Sequence, residues 1–328
     1  MPAASAARLL DVRDLSVSFR TADGIVEAVR GLSFGIDPGR TLGLVGESGS
    51  GKSVATAALV GLARGAQVGG QALFLGRDLL TLPAEELRAV RGRGVAMIFQ
   101  SPMSSLHPLY PIGWQIVEMI RAHEPVPRRQ ARARAIELLG HVGIPRAERR
   151  VDEYPHQYSG GMLQRAMIAM AIALGPRILV ADEPTTALDV TVQAQILRLL
   201  AGLQRELGMA MILITHDLGV AAEAADEILV MYAGRALEQA TTPELFARPC
   251  HPYTRALLRS RPRLDAAVAR LSPVAGQPPS LIALPAGCPF RPRCAEAVER
   301  CAAPPPLVAV GGDDGHHAAC WLVGEGPA

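Results

Sequence analysis

The segment Gly46-Glu47-Ser48-Gly49-Ser50-Gly51-Lys52-Ser53 constrains this chain more than any other. It fits G-x-x-x-x-G-K-[ST], the pattern of a loop that cradles phosphate. Glycine has no Cβ to block an anion, so backbone N–H groups can turn inward around it. A helix starting near Lys52 adds the positive end of its dipole. The Lys52 ammonium supplies a point charge to β- and γ-phosphates, and the Ser53 hydroxyl is a ligand for Mg²⁺. The flanks suit that reading: Thr41 to Val45 is a short apolar run with the character of a buried strand, and Val54 to Val60 continues as a helix. Gly46, Ser48, Gly49, Gly51, Lys52 and Ser53 are therefore the candidate phosphate-binding residues.

At 328 residues the chain suits one large domain with an appendage, or two domains. Its hydrophobic content is 49% and its mean hydropathy +0.20, high values for a soluble protein. Yet no apolar run approaches the roughly 18–20 residues that span a bilayer. The N-terminal stretch carries Arg8, Asp11, Arg13 and Asp14 with no apolar core, so no secretory signal is expected and the chain is expected to be cytosolic. Apolar surface in excess points to a covering partner, a membrane protein among the candidates. A net charge of +2 gives no electrostatic case for nucleic acid.

Strands are expected at Leu9–Val12, Leu15–Arg20, Val26–Phe34, Gly69–Gly76, Val95–Gln100, Arg177–Asp182, Ala210–Thr215 and Glu227–Tyr232. Residues 101–170 read as helical, with Arg128 to Leu139 the clearest pattern; its arginines read as a solvated face. The helix Val192–Leu207 separates two of the later strands, and this alternation predicts a largely parallel α/β sheet. A break falls at Pro249, beyond which Pro, Gly and Cys are dense.

Two further elements complete a nucleotide site. The apolar strand Ile178-Leu179-Val180-Ala181 ends in Asp182 and Glu183. Beside a phosphate loop, the first acid is placed to face Mg²⁺ and the second to take a proton from attacking water. Tyr158-Ser159-Gly160-Gly161-Met162-Leu163-Gln164-Arg165 is a Ser-Gly-Gly turn opening a helix, a second anion-binding device.

With these residues the chain resembles the ATP-binding cassette (ABC) ATPases. Ser159-Gly160-Gly161-Met162 matches that family's signature sequence, with Met162 where Gln is common. Gln100 matches the Q-loop glutamine, Ala187-Leu188-Asp189 the D-loop, and His216 the switch histidine; Phe19 stands where the family stacks an aromatic on adenine. The match covers residues 9 to about 245. It implies an α/β P-loop NTPase fold, a RecA-like core with an antiparallel β subdomain and a helical subdomain at about 101–170, within a nucleotide-binding domain at 8–248. It also implies two such domains packed head to tail around two ATP molecules. Lys52, Ser53 and Asp182 would hold ATP and Mg²⁺ in cis, with Gln100 a further Mg²⁺ contact that senses the nucleotide. Ser159, Gly160 and Gly161 would reach the partner's γ-phosphate, with Asp189 at the shared site. Glu183 would be the general base and His216 a γ-phosphate contact.

The tail, 249–328, holds Cys288, Cys294, Cys301 and Cys320 at spacing C-x5-C-x6-C-x18-C. A cytosolic chain disfavours disulfides. The spacing alone leaves an iron–sulfur cluster, zinc and free thiols open, though structural zinc usually pairs its cysteines two to four residues apart. Cys250 lies outside the pattern and reads as a free, structural Cys.

His251-Pro252-Tyr253-Thr254-Arg255-Ala256-Leu257-Leu258 and Leu284-Pro285-Ala286-Gly287-Cys288-Pro289-Phe290 resemble the C-terminal region of di- and oligopeptide importer ATPases, as do Asp182 to Gln195 and Gln100 to Pro108. Some members of that subfamily carry a [4Fe–4S] cluster on four tail cysteines, and the four here match that arrangement. The resemblance implies a sister ABC ATPase, two membrane permeases, an extracytoplasmic substrate-binding protein and a place on the cytoplasmic face of the membrane. Nickel importer ATPases share much of the pattern, and soluble ABC ATPases of DNA repair or translation form a distant alternative. Repair members insert long coiled coils and translation members usually carry two cassettes, neither of which this sequence shows.

Overall fold

A computed structural model describes residues 8–186, 188–260 and 274–323. Among these residues the strands are β1 (Leu10–Thr21), β2 (Gly24–Ile36), β3 (Thr41–Val45), β4 (Ala66–Phe74), β5 (Arg77–Asp78), β6 (Val95–Ile98), β7 (Ile178–Asp182), β8 (Ala210–Thr215), β9 (Glu227–Tyr232), β10 (Arg235–Thr241), β11 (Val308–Val310) and β12 (Asp313–Ala318). The chain divides into two compact units, one of residues 1–37, 41–81 and 213–328 and one of residues 38–40 and 82–212.

The first unit has an antiparallel sheet in the order β2-β1-β4-β5. The two strands expected between Leu9 and Arg20 are a single strand, β1, bent by bulges between Val12 and Val17, with Asp14 in the left-handed region at φ +49°. A bulge adds a residue to one strand without ending the ladder, so the polar Arg13-Asp14 pair interrupts the alternation but not the strand. β4 stops at Phe74 rather than Gly76, because Leu75 and Gly76 (φ +49° and +80°) form the two-residue turn into β5. Within the same unit β3 pairs in parallel with β9, β9 is followed by antiparallel β10 through the turn at Ala233-Gly234, and β10 pairs with β12, itself antiparallel to β11. Strands of the cysteine-bearing tail thus extend the ladder that begins at β3. The core here joins Ile228, Val230 and Tyr232 of β9 to Tyr253, Cys288, Phe290 and Cys301.

The second unit pairs β6 with β7 in parallel, from Val95↔Ile178 to Ile98↔Ala181. β6 ends where that pairing ends, two residues before Gln100. No strand is assigned among residues 101–170, as expected. Helices Ile112–His123 and Arg128–His141 bury Ile116, Val117 and Ile120 of the first and Ala131, Ala135 and Leu139 of the second. Arg128 and Arg129 are exposed, while Arg132 pairs with Asp152 and Arg134 with Glu124. Helix Val190–Leu207 starts at Asp189, whose carboxylate caps Val192 N–H at 2.9 Å, and stops at Gly208 in the left-handed conformation.

Candidate functional site

Buried strand β3 delivers the chain into the P-loop, and helix Lys52–Leu59 carries it away. Two glycines are sterically required. A Cβ at Gly46 would lie 2.2 Å from the Met231 carbonyl oxygen, and one at Gly51, where φ is +100°, would lie 2.2 Å from that of Ala28. Lys52 is 5% exposed. Its ammonium donates to the carbonyls of Gly46 (2.7 Å) and Glu47 (2.9 Å) and to Ser50 Oγ (3.2 Å), so the loop is wrapped around a fixed positive charge. Ser48, Gly49 and Ser53 are exposed at the loop surface. Phe19 is half-buried on β1, paired across to Val26 and Ala66. His216, also in this unit, is exposed directly after β8.

Glu47 is held from the tail, which the motifs did not reveal. Its N–H donates to the Tyr253 hydroxyl at 3.0 Å. Its carboxylate receives both Arg293 Nη groups, at 2.6 and 2.9 Å. Tyr253 sits in helix Pro252–Arg259, whose first turn is fixed by His251 Nδ1 accepting Tyr253 N–H at 3.0 Å. Burial pushes the Tyr253 phenol up and, with the nearby Arg255 charge, holds the His251 imidazole down at about 3. His251 is therefore a neutral acceptor.

In the second unit β7 is buried along its length, Asp182 included. Glu183 follows with φ +46°, a left-handed conformation uncommon for a residue with a side chain. One oxygen, Oε2, accepts Gln100 Nε2 at 3.0 Å and the Thr186 hydroxyl at 2.8 Å. The structure thus brings together Gln100 and Glu183, two of the expected site residues, and adds Thr186. Ser159 and Gly160 are exposed at the start of helix Gly160–Ile172, where Ser159 Oγ accepts Met162 N–H at 3.4 Å. A Cβ on Gly161 would press on Val192 Cγ1 at 3.2 Å. Asp189 is exposed and caps its helix; Ala187 of the D-loop triplet lies outside the described residues.

Cys288, Cys294, Cys301 and Cys320 line one cavity, together with Phe290 and Trp321. Cys288 N–H donates to the Cys301 carbonyl at 3.0 Å, tying two of the four segments together. Burial, first among the causes, raises the thiols of Cys288, Cys294 and Cys320. Cys250 is not part of that cavity. Its sulfur lies with Glu238 and His316 in a cluster whose ligand atoms are all within 4.8 Å of one another. The buried Glu238 carboxylate there accepts the N–H groups of Cys250 (2.6 Å) and His251 (2.9 Å) and meets His316 Nε2 at 2.8 Å. Glu238 and His316 are 78 residues apart in sequence with no motif between them, so nothing local foretold the pair.

Comparison with known proteins places the chain in a family. The ABC transporter family model matches residues 29–186, and the model described as oligopeptide/dipeptide transporter, C-terminal region, matches residues 237–301. The oligopeptide transport ATP-binding protein OppD of Haemophilus influenzae is 49% identical over 97% of this chain and 98% of its own length. OppD of Escherichia coli is 50% identical over 91% of this chain and 89% of its own. The chain belongs to the ABC transporter ATP-binding proteins. Among solved structures, the dimeric ATP-binding cassette MJ0796 in a post-hydrolysis state bound to ADP and Pi has a TM-score of 0.64 at 26% identity, covering 71% of this chain and 98% of that one. Structure of cbiO1 from Clostridium perfringens, part of the transporter complex cbiONQ, gives 0.62 at 27% identity, with 74% and 92% covered.

In this ABC ATPase the transporter model spans the P-loop of the first unit and Gln100, the signature turn and Asp182-Glu183 of the second, and the tail model spans Tyr253, Arg293 and three of the four cavity cysteines. Among the described residues no helix is long and apolar enough to cross a membrane.

Proposed function

We propose that this ABC ATPase hydrolyses ATP to power an importer of di- and oligopeptides. The reading rests on the near-half identity to OppD proteins along almost the whole chain, tail included. Lys52, with Gly46, Ser48, Gly49, Gly51 and Ser53, binds the phosphates; Ser53, Asp182 and Gln100 serve Mg²⁺. Phe19 stacks on adenine. Glu183 is the general base, and Gln100, bonded to it, couples its orientation to the nucleotide. His216 contacts the γ-phosphate, while Ser159, Gly160, Gly161 and Asp189 serve the nucleotide of a sister ATPase. Two permeases and an extracytoplasmic binding protein complete the importer, and the chain works at the cytoplasmic face of the membrane.

The tail cysteines suit a [4Fe–4S] cluster better than zinc. Four thiols converge on one cavity. Zinc at about 2.3 Å from each sulfur needs thiolates closer than 4.8 Å to one another. The only ligand trio meeting that limit among the described residues is Glu238, Cys250 and His316. The cluster would be held by Cys288, Cys294, Cys301 and Cys320, outside the ATP motifs, in a structural or regulatory role.

The test is uptake by the importer reconstituted in vesicles with its permeases and binding protein. Labelled oligopeptides accumulate with wild type and ATP, and Lys52→Ala abolishes accumulation. Accumulation of nickel ions in place of peptides would move the assignment to the nickel importers.

A further inference from the structure

Arg293 uses all five of its N–H donors, and the centre of the set is a residue of the P-loop. Nε donates to the Ala275 carbonyl (2.7 Å), Nη1 to Glu47 Oε2 (2.6 Å) and the Tyr232 hydroxyl (3.1 Å), and Nη2 to Glu47 Oε1 (2.9 Å) and the Val274 carbonyl (3.1 Å). The Arg293 side chain is 5% exposed, and its guanidinium also lies near the Phe290 ring, 5.9 Å from its centroid. On the other side of the same residue, Tyr253 accepts Glu47 N–H. Glu47 is thus gripped at its main chain and its carboxylate by two parts of the tail, while its own carbonyl receives the Lys52 ammonium.

A carboxylate one residue into a phosphate-binding loop is an electrostatic problem. Two like charges a few ångströms apart repel strongly at the effective dielectric of a protein surface, and a triphosphate brings several. The bidentate guanidinium both neutralises Glu47 and fixes its direction. A glycine-rich loop also has many conformers to lose on binding, and restraining it beforehand lowers that cost.

Resting on the ATP-binding reading above, we propose that Arg293 and Tyr253 are positioning residues for the nucleotide site. Acting through Glu47, they cancel its charge and hold the P-loop in the shape that receives MgATP. The tail is then part of the ATP site's support, not an independent appendage.

The experiment measures the Kd of the purified full chain for MgATP, with amide hydrogen exchange across residues 43–53. Arg293→Gln leaves the Glu47 charge uncompensated and raises Kd about tenfold, the loss shrinking as salt rises. Adding Glu47→Gln to that variant removes the stranded charge and recovers most of the loss. A purely structural Arg293 would give no such rescue. Arg293→Lys keeps the charge without the bidentate geometry and falls between. Tyr253→Phe removes one acceptor and speeds exchange at Glu47 N–H. Unchanged Kd and exchange in Arg293→Gln would overturn the proposal. If that variant does not fold, wild-type values in both Arg293→Lys and Tyr253→Phe would overturn it equally. A wild-type chain that fails to bind MgATP, in contrast, overturns the ATPase reading and the positioning role with it.

Discussion

Gln100 and Glu183 are joined by a hydrogen bond of 3.0 Å, although 83 residues separate them in sequence. The acceptor, Oε2, also takes the Thr186 hydroxyl, and Glu183 itself is held in a left-handed backbone conformation. The base role proposed for Glu183 requires its carboxylate to point at a proton, and these two donors fix the direction in which it points.

The first prediction concerns that base. Glu183→Gln retains MgATP binding, because the P-loop charges remain, but loses about 10²–10⁴ in turnover, the usual contribution of a positioned base. Thr186→Val, which removes one of the two donors, lowers kcat several-fold with little change in KM. ATPase rates of the assembled transporter check both. Full turnover in Glu183→Gln would remove Glu183 from the mechanism.

Gly51→Ala tests the P-loop backbone. The new methyl would meet the Ala28 carbonyl oxygen at 2.2 Å in a conformation at φ +100° that alanine resists. A cost of about 1–3 kcal/mol is expected from the backbone conformation alone, with loss of MgATP binding as the loop shifts. The same change at Gly49, where nothing stands within 4 Å of a Cβ, meets only the left-handed penalty at φ +78°. Thermal midpoints should therefore order Gly51→Ala below Gly49→Ala below wild type, and equal midpoints for the two variants would contradict the steric argument.

The parts of the fold that were legible in sequence are those where one local signal decides. β3, β8 and β9 are apolar runs bounded by polar or turn residues, and the structure gives them the expected bounds. The helix expected at Arg128–Leu139 is found at Arg128–His141. Elements whose partners are distant were not legible. β10 reads Arg-Ala-Leu-Glu-Gln-Ala-Thr, with a charged residue at its centre, and Glu238 is buried there because His316 and two backbone N–H groups reach it. Strand β11 is only three residues long and pairs with β12, and β12, which is polar, is tied to β10 by pairing rather than by its own hydrophobicity. In the site, Gln100, Asp182 and Glu183 could be named from motifs. The Arg293–Glu47 pair could not, since 246 residues separate the partners and neither position is apolar or periodic.

The tail cysteines give a third prediction. Anaerobically purified wild type carries about four iron and four acid-labile sulfide per chain, with the broad visible absorbance of such clusters. Replacing Cys301, one of the two buried members of the set, with Ser removes most of the iron, whereas Cys250→Ser leaves it in place because Cys250 lies outside the cavity. Stoichiometric zinc in the wild type, or iron that survives Cys301→Ser, would refute the cluster assignment.

The last prediction follows from His251, which is fully buried and accepts Tyr253 N–H through Nδ1. Burial, with a smaller contribution from the Arg255 charge, holds its imidazole down at about 3, against an ordinary 6.5. The folded state therefore binds fewer protons than the unfolded chain wherever the pH lies between those values. Stability contributed by the neutral ring is complete above pH 6.5 and drains away as pH falls toward 3. At pH 5 the loss should amount to roughly 1–2 kcal/mol. Protonation also removes the acceptor that fixes the first turn of helix Pro252–Arg259, and with it the placement of the Tyr253 hydroxyl that accepts Glu47 N–H. His251→Asn keeps a side-chain oxygen able to accept Tyr253 N–H but has nothing to titrate. Thermal midpoints taken from pH 7.5 to 5 should fall more steeply for wild type than for His251→Asn, and parallel slopes would show that His251 does not control the acid sensitivity of the fold.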